Sequence, residues 1–200
     1  MAVKTKEQLI IEAARSRFAH YGYSKVTMEE IAADVELGKA SLYYYFPTKE
    51  ELFRAVISLE QDELKAKIEH LLQKSGPATR KLREYVALRM QFFQDLINLG
   101  TLSLHSYMNT KSVFKKLFVD FEKVELALIK KIIDEGIQSK EFVSFVTDDT
   151  SEVFLHILQG LRCRILRQAK GPVLDKKTQN NLQKEMNVAT DIFIKGIKCT

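Results

Sequence analysis

The chain has 200 residues, 46% hydrophobic and 28% charged, which is typical of a folded globular protein and excludes a disordered or fibrous one. The net charge of +5 favours an anionic partner, but residues 1–50 carry seven basic and seven acidic side chains, so bulk charge does not locate that partner. No apolar run approaches the roughly 20 residues of a membrane span, and residues 1–6 lack the apolar segment of a signal peptide. We therefore expect a cytoplasmic protein without a membrane partner.

The positions of proline and the apolar period predict a protein built from helices. Pro47, Pro77 and Pro172 fall between segments in which apolar residues recur every three or four positions, and no segment alternates as a strand does. We expect an all-α fold of about nine helices, with a head (residues 1–50) and a helical body (residues 51–200). The predicted helices span residues 6–21, 28–35, 39–46, 49–73, 77–98, 101–108, 110–136, 149–168 and 176–197.

Capping motifs mark the starts of the first, second and fourth helices. Threonine followed three residues later by glutamine or glutamate forms a capping box, in which each side chain bonds the backbone N–H of the other residue. The pattern occurs at Thr5, Thr27 and Thr48. These local signals predict where the helices begin. The inward face of the first helix is predicted to carry Leu9, Ile10, Ala13, Ala14 and Phe18.

Residues 28–46 have the layout of a DNA-binding helix-turn-helix. In this motif two short helices are joined by a tight turn, and the second helix enters the major groove with its N-terminal residues near the bases. An apolar set packs both helices onto the first one, and it consists of Ile31, Ala32, Val35, Leu37 and Leu42. The pattern therefore predicts that the third helix binds DNA.

The side chains left outward on the third helix suit DNA recognition. Lys39 and the hydroxyl groups supply partners for phosphates or base edges, Ala40 permits a close approach, and the aromatic rings contact phosphate oxygens or thymine methyls. Thr27 and Lys49 lie at the starts of neighbouring helices, where exposed backbone N–H groups also bind phosphate. The candidate DNA-binding residues are Thr27, Lys39, Ala40, Ser41, Tyr43, Tyr44, Tyr45 and Lys49.

The run of three tyrosines at residues 43–45 also has a simpler interpretation, as surface and core residues of a small helical bundle. Three adjacent side chains on a helix of about eight residues cannot all face inward, because a helix buries only one stripe. This geometry favours the DNA-binding interpretation.

The sequence contains no arrangement that predicts catalysis or a metal centre. Four histidines are scattered without Glu-x-x-His or His-x-x-x-His spacing, and they are His20, His70, His105 and His156. Cys163 and Cys199 lie apart in helical contexts, so we interpret them as reduced thiols rather than as a disulfide or metal site. We expect a protein that is not an enzyme and has no cofactor.

The helix-turn-helix and the residues after it resemble the DNA-binding segment of the TetR family of bacterial transcription regulators. The resemblance covers about residues 6–57. It is carried by Thr27, Ile31-Ala32, Leu37, Lys39, Ser41-Leu42-Tyr43-Tyr44-Tyr45-Phe46, Lys49 and Glu51-Leu52-Phe53. Weaker matches to the body of that family occur at residues 133–137, 140–142 and 159–161.

Two positions in the turn depart from the family pattern. The family usually has glycine where this chain has Glu36, and serine or threonine where it has Gly38. A residue other than glycine held at positive φ costs roughly 1 to 2 kcal/mol. We therefore expect this turn to adopt a different conformation, with Gly38 as the cap of the third helix.

The resemblance implies a homodimer that binds a palindromic operator in double-stranded DNA. Similar proteins pack their last two long helices against those of the partner, because reading two half-sites requires a two-fold partner. Both helices carry apolar stripes here, although such stripes also suit the body's own core. Gly160 costs about 1 kcal/mol inside a helix unless it permits a close approach, as at a dimer interface. The predicted interface residues are Phe154, Ile157, Leu158, Gly160, Leu161, Ile165, Met186, Ala189 and Phe193.

The resemblance also implies a pocket for a small-molecule effector among the middle helices, which are rich in phenylalanine. An aromatic cavity accepts an apolar or amphipathic ligand oriented by a few polar groups such as His105 or Arg89, although each residue taken singly also suits simple packing. Similar proteins are repressors that such a ligand releases from DNA. The predicted lining consists of Tyr85, Arg89, Phe92, Phe93, His105, Met108, Phe114, Phe118 and Phe121.

A helical carrier of lipids or other small molecules, without a DNA role, is the main alternative. It accounts for the aromatic body but leaves the pattern from Lys39 to Lys49 unexplained. Salt-dependent DNA binding separates the two functions, because affinity that comes from phosphate contacts falls steeply with salt.

Overall fold

The protein is helical throughout the residues that the computed structural model describes, which are 4–98, 112–144, 147–168 and 175–199. Short connections join the helices, as the positions of proline and glycine predicted. The eight helices in these ranges are α1 (Lys6–Tyr21), α2 (Met28–Asp34), α3 (Lys39–Tyr45), α4 (Lys49–Gln73), α5 (Ala78–Asn98), α6 (Ser112–Gln138), α7 (Thr147–Gln168) and α8 (Lys176–Ile197).

The predicted all-α class is confirmed. Within the described ranges, extended pairing is limited to one antiparallel bridge between Phe142 and Lys198. The predicted helix 101–108 lies outside the described residues. None of the eight helices combines the length and apolar character that crossing a bilayer would need.

Local hydrogen bonds set the helix starts. Thr5 Oγ1 accepts a hydrogen bond from Gln8 N at 3.2 Å, and Gln8 Oε1 accepts one from Thr5 N at 2.9 Å. Thr27 and Glu30 form the same reciprocal box at 3.3 and 2.8 Å. At Thr48 only half of the predicted capping box forms: Thr48 Oγ1 accepts a hydrogen bond from Glu51 N at 3.1 Å, and the Glu51 side chain does not return one. The predicted starts of these helices are confirmed because the caps depend only on neighbouring residues.

The head packs α1, α2 and α3 around a small core that includes the first turns of α4. The Phe53 ring of α4 lies edge-on to the Phe18 ring, with centroids 5.2 Å apart, and 4.5 Å from the Tyr23 ring. Leu9, which the apolar period places inward, is instead 38% exposed, because α1 buries the face that carries Ile10 and Phe18. The buried head residues are Ile10, Ala14, Phe18, Val26, Met28, Ile31, Ala32, Leu42, Phe46, Leu52, Phe53 and Val56.

Helix α4 belongs to both the head and the body. One of its faces places Phe53 and Glu60 against α1. Its far end meets α5, where Lys81 Nζ donates a hydrogen bond to the Leu72 carbonyl oxygen at 2.8 Å. The same ammonium group lies 2.5 Å from Glu135 Oε2 of α6. Helix α4 contacts α1 in the head and both α5 and α6 in the body, so it connects the two regions directly.

Helices α7 and α8 form the outer layer of the body. They pack on each other and, through α8, on α5. Gln94 Nε2 of α5 donates a hydrogen bond to Gln179 Oε1 of α8 at 2.7 Å, and Arg83 bonds Asp191 at 3.0 Å. The Phe154 and Phe193 rings stack with centroids 4.4 Å apart. The inner faces of both helices are therefore part of the core of the chain.

Candidate nucleic-acid interface

The turn between α2 and α3 places a left-handed residue where the chain has Glu36. The φ angle of Glu36 is 54°, and Leu37 N donates a hydrogen bond to the Ala32 carbonyl oxygen at 2.9 Å. Our expectation that a residue other than glycine would change this conformation is wrong. Leu37 packs against the head core, and this anchoring offsets the strain of roughly 1 to 2 kcal/mol. Gly38 is the N-cap of α3, as expected, and makes no side-chain cap bond.

One face of α3 is anchored and the other is open. Leu42 is fully buried, and Tyr43 is half-buried against the head core. Tyr44 is 84% exposed and Tyr45 is 39% exposed, with their rings edge to face at 5.6 Å. The exposed residues of the helix are Lys39, Ala40, Ser41, Tyr44 and Tyr45. Six of the eight predicted DNA-binding residues thus lie on α3, and Tyr43 is the most enclosed of these six. Of the other two, Thr27 is the N-cap of α2 and Lys49 lies in the first turn of α4.

A carboxylate of α2 holds the lysine of α3. Lys39 Nζ lies 2.6 Å from Glu29 Oε1 and 5.9 Å from the centre of the Tyr43 ring. The hydrogen bond between Lys39 and Glu29 raises the pKa of the lysine and lowers the pKa of the glutamate. Both side chains are at least half exposed, so water screens the pair and a phosphate group can replace Glu29. Sequence reasoning missed Glu29, whose only local signal is its acidic charge in the first turn of α2.

Lys49 bonds to the protein itself. Its Nζ donates a hydrogen bond to the Val26 carbonyl oxygen at 2.6 Å and lies 4.4 Å from the centre of the Tyr23 ring. Burial lowers the pKa of Lys49, an effect that nearby Glu30 opposes. The lysine that we predicted to reach a phosphate therefore ties α4 to the loop before α2. Thr27 remains exposed at the start of α2, with its hydroxyl in the capping box.

Arginines of α1 connect the head to neighbouring elements. Arg17 bonds Asp34 at the end of α2. Arg15 donates hydrogen bonds to Glu60 and Glu63 of α4, each at 2.7 Å. Burial raises the pKa of Glu60, and Arg15 opposes that shift. Charged groups as well as apolar packing therefore hold α2 and α4 against α1.

The body buries a charged cluster where we predicted an effector pocket. Tyr85 Oη and Arg89 Nε each donate a hydrogen bond to Glu125 Oε1 at 2.6 Å. Burial, with a further contribution from Glu125, raises the pKa of Tyr85, and the attraction of Glu125 outweighs burial in raising the pKa of Arg89. Sequence reasoning missed Glu125. Tyr85 and Arg89 lie one turn apart on a buried face, which signals that an acidic partner is needed.

The aromatic residues predicted around the pocket come together in part. Phe92 and Phe93 are buried, Phe121 is half-buried, and the Phe92 and Phe121 rings lie 5.6 Å apart. The Arg162 guanidinium stands 5.6 Å from the centre of the Phe93 ring. Phe118 is half-buried and packs against the core. His105, Met108 and the side chain of Phe114 lie outside the described residues.

Two clefts open on the described surface of the body. One, of about 570 Å³, lies between the ends of α4 and α6 and is lined by charged residues that include Glu69 and Lys131. The other, of about 180 Å³, lies between α5 and α8 and is lined by amides and apolar groups. Phe93 lines the second cleft, and the other described residues predicted for the pocket line neither.

The predicted dimer residues divide between the core and the surface. Four of the nine are buried within the single chain, and they are Phe154, Leu158, Ile165 and Met186. Three are half-buried, namely Leu161, Ala189 and Phe193. Ile157 and Gly160 are exposed. Each apolar stripe is wider than one contact surface, so its inner half packs on the body and its outer half remains open. The large apolar side chains that remain open on α7 and α8 are Val153, Ile157, Val188 and Ile192.

Comparison with known families identifies both halves of the chain. Residues 10–56 match the family described as bacterial regulatory proteins, tetR family. Residues 60–199 match the family described as QacR-like protein, C-terminal region. The second match alone covers more than half of the chain, and the two meet within α4, which the head and body share.

Individual relatives agree with this result. The crystal structure of a transcriptional regulator from Cytophaga hutchinsonii ATCC 33406 is 41% identical, with a TM-score of 0.91, covering 96% of this chain and 97% of that one. The uncharacterized HTH-type transcriptional regulator YhgD of Bacillus subtilis is 28% identical over 183 residues, 86% of this chain and 90% of its own. The fold is also shared with FadR from Bacillus subtilis, solved in complex with stearoyl-CoA, at 18% identity, a TM-score of 0.68 and coverage of 94% and 98%.

Proposed function

Because the chain belongs to the TetR family of bacterial transcription regulators, we propose that it is a repressor that binds a palindromic operator as a homodimer. It acts in the cytoplasm, with residues 1–50 as the DNA-binding unit and residues 51–200 as the effector-binding and dimerisation unit. The family consists of transcription regulators and not of enzymes, so function depends on binding equilibria. A small apolar or amphipathic molecule held in the body releases the protein from DNA.

The exposed face of α3 is the observation that carries the DNA-binding proposal. A buried Leu42 anchors the helix, while Tyr44 stands 84% exposed beside the exposed residues at its N-terminus. The ring of exposed Tyr45 contacts the Tyr44 ring, and adjoining exposed apolar groups of this kind mark an interaction surface. In the major groove, Lys39 pairs with a phosphate, while Ser41 and Tyr44 reach base edges or the sugar-phosphate backbone. The carrier function without DNA leaves this open face without a purpose.

The open faces of α7 and α8 support the dimer. Val153 is 53% exposed and Ile157 37% on α7, and Val188 is 50% exposed and Ile192 66% on α8. No described atom, apart from the helix's own backbone and chain neighbours, lies within 4 Å of the place where a Cβ on Gly160 would stand, so a partner helix can approach closely there. Packing these faces against their copies in a second subunit buries four large apolar side chains from each chain. The two heads then meet successive major grooves about 34 to 36 Å apart.

Helix α4 is the element through which an effector acts. It bonds to the head through Glu60 and Glu63 and to α5 through Leu72. A ligand between α4, α5 and α6 shifts α4 and so changes the separation of the two heads. The ligand acts only through its different affinities for the two arrangements. FadR of this fold, solved with stearoyl-CoA, supports the view that such a body holds a small molecule.

DNA binding is tested with a duplex that the wild-type protein selects from a random library, by fluorescence anisotropy at several salt concentrations. Lys39→Ala should weaken binding to every sequence and reduce the slope of log K against log salt by about 1. Tyr44→Ala should weaken the selected duplex by about 5- to 150-fold, corresponding to about 1–3 kcal/mol for a lost base contact. Lys67→Ala, at an exposed position of α4, is the control and should bind as the wild type does. Unchanged affinity in both α3 variants would reject α3 as the DNA-binding helix.

The dimer is tested by sedimentation of a variant with a charge in the open apolar face. Ile192→Lys should give monomers, because burying an unpaired ammonium at an apolar interface costs several kcal/mol. Val119→Lys, at a position of α6 that is 44% exposed, is the matched control and should remain dimeric. A dimer that tolerates Ile192→Lys, or a wild-type protein that sediments as a monomer, would refute this interface.

A further inference from the structure

We propose that Gln61 is the hydrogen-bond donor of the effector site and that the effector is an uncharged, largely apolar molecule with a hydrogen-bond acceptor, such as a ketone. The inference rests on the proposed function, in which the body holds an effector, and it names the chemistry of that ligand. Three observations support it: the buried amide nitrogen of Gln61 has no described partner, Gln61 lies at the same level along the helices as two aromatic rings, and the buried charges of Arg89 and Glu125 neutralise each other.

The amide nitrogen of Gln61 lacks a hydrogen-bond partner in the part of the chain that the structure describes. The residue is 5% exposed on α4, and its buried Nε2 has no partner among the described residues. Buried polar groups almost always find a partner, and a donor left without one loses the interactions with water that it had before folding. Because no described residue satisfies this amide nitrogen, we assign its partner to a bound molecule.

Gln61 lies at the same level along the helix axes as the aromatic rings of Phe92 and Phe121. Ile57, Gln61, Ile68 and Leu72 form one stripe of α4 at helical spacing, and the chain turns back between α4 and α5. Leu72 meets Lys81 of α5.

The level of Gln61 is found by counting residues along α4 and α5 from the contact between Leu72 and Lys81. Gln61 lies eleven residues before Leu72, and Phe92 lies eleven residues after Lys81, so both have the same height along the antiparallel pair. The Phe92 ring lies 5.6 Å from the Phe121 ring of α6, which brings a third helix to the same level. A flat or aromatic ligand suits these rings.

The buried pair of Arg89 and Glu125, one turn from Phe92, has no charge left for a ligand, and this favours an uncharged one. Arg89 and Tyr85 both bond to Glu125, whose side chain is 4% exposed. A carboxylate would have to displace Glu125 from Arg89, and a cation would have to displace Arg89 from Glu125. Either exchange leaves one buried charge without compensation, which proteins rarely tolerate. A neutral acceptor satisfies Gln61 and leaves the cluster intact.

The test uses four probes with one naphthalene outline and measures their affinity for the full-length protein by calorimetry, without DNA. The probes are 2-acetylnaphthalene, 2-isopropylnaphthalene, 2-naphthoate and (2-naphthyl)trimethylammonium. We expect the ketone to bind about tenfold more tightly than the hydrocarbon, as one hydrogen bond to a buried donor provides, and the two ions to bind most weakly.

Substitution of Gln61 identifies the donor. Gln61→Leu and Gln61→Met keep the volume of the side chain but remove the amide, so both should bind ketone and hydrocarbon equally well. The use of two variants guards against a folding defect in either. Gln73→Leu, the same change at an exposed position of α4, should retain the tenfold preference of the wild type.

Three results would overturn the proposal. They are a preference for either ion, a ketone preference that survives in both Gln61 variants, and no binding of any probe by the wild-type protein. Failure of the proposed function has a different signature, since operator binding is measured separately. A ketone that binds through Gln61 but leaves operator affinity unchanged would refute release by this ligand class and support the role of Gln61.

Discussion

The head and the body contain ion pairs of the same length in opposite surroundings. Lys39 and Glu29 of the head lie 2.6 Å apart with side chains 66% and 50% exposed. Arg89 and Glu125 of the body also lie 2.6 Å apart, with side chains 8% and 4% exposed. An exposed pair contributes little and exchanges partners readily, whereas a buried pair that loses one member leaves a costly charge. The head pair is therefore suited to exchange with DNA, and the body pair holds helices together.

The largest effect should come from breaking the buried pair. Glu125→Ala leaves the Arg89 guanidinium in the core without its carboxylate, and we expect about 3–5 kcal/mol of lost stability in urea unfolding. Tyr85→Phe removes only one hydrogen bond to the same carboxylate and should cost about 1.5–3 kcal/mol. The triple variant Tyr85→Phe, Arg89→Met and Glu125→Leu should recover most of the loss, because neither a buried charge nor an unpaired buried hydroxyl remains. A small effect of Glu125→Ala would contradict the burial of this pair.

An intermediate effect is expected at the junction between the two regions. Arg15→Ala leaves buried Glu60 without its cation, so we expect a loss of about 1–3 kcal/mol at pH 7. Burial raises the pKa of folded Glu60 above its ordinary value of 4.5, and removing Arg15 raises it further. The protonated carboxyl tolerates burial. The loss in free energy of unfolding should therefore be complete above the pKa of Glu60 in the folded Arg15→Ala variant, and it should disappear below about pH 4.5.

Urea unfolding of both proteins between pH 4 and pH 8 measures this pH dependence. Lys4→Ala, which breaks the exposed pair between Lys4 and Glu12 of α1, is the control and should show a small loss. If the loss in Arg15→Ala were the same at pH 4 and pH 7, Glu60 would not be the group responsible.

The smallest effect should come from the exposed pair of the head. Glu29→Gln removes the carboxylate that competes with phosphate for Lys39, and we expect operator affinity to rise by about two- to fivefold at low salt. The gain should shrink as salt rises, because salt screens exposed charges. Anisotropy titrations of both proteins at two salt concentrations measure it. A lower affinity in Glu29→Gln would mean that Glu29 itself contacts DNA.

The sequence predicts the head better than the body because the signals of the head are local. The boxes at Thr5 and Thr27 involve residues three positions apart, and both form as predicted. The exposed face of α3 could be predicted because Leu42 faces the core, and residues on the opposite side of a helix face away from it. The error at Glu36 has a tertiary origin, because the packing of Leu37 holds a conformation that propensity disfavours.

The partners of individual side chains in the body could not be predicted in this way. Glu125 is 36 positions from Arg89, and only the antiparallel packing of α5 and α6 brings them together. The stripes on α7 and α8 predict apolar faces but not which half of each stripe packs inward. Phe154 and Ile157 belong to the same stripe, yet the first is fully buried and the second is 37% exposed. Lys49 shows the same limit in the head, since its partner Val26 lies on another element.

Protection of guanine N7 from dimethyl sulfate in the selected operator tests the central claim most directly, because this atom lies in the major groove. The wild-type protein should protect guanines in two successive major grooves on one face of the duplex, centred about 34 to 36 Å apart. The double variant Lys39→Ala with Tyr44→Ala should lose both zones together at the concentration that saturates the wild type. A single protected zone, or two zones that persist in the double variant, would contradict binding by a pair of α3 helices.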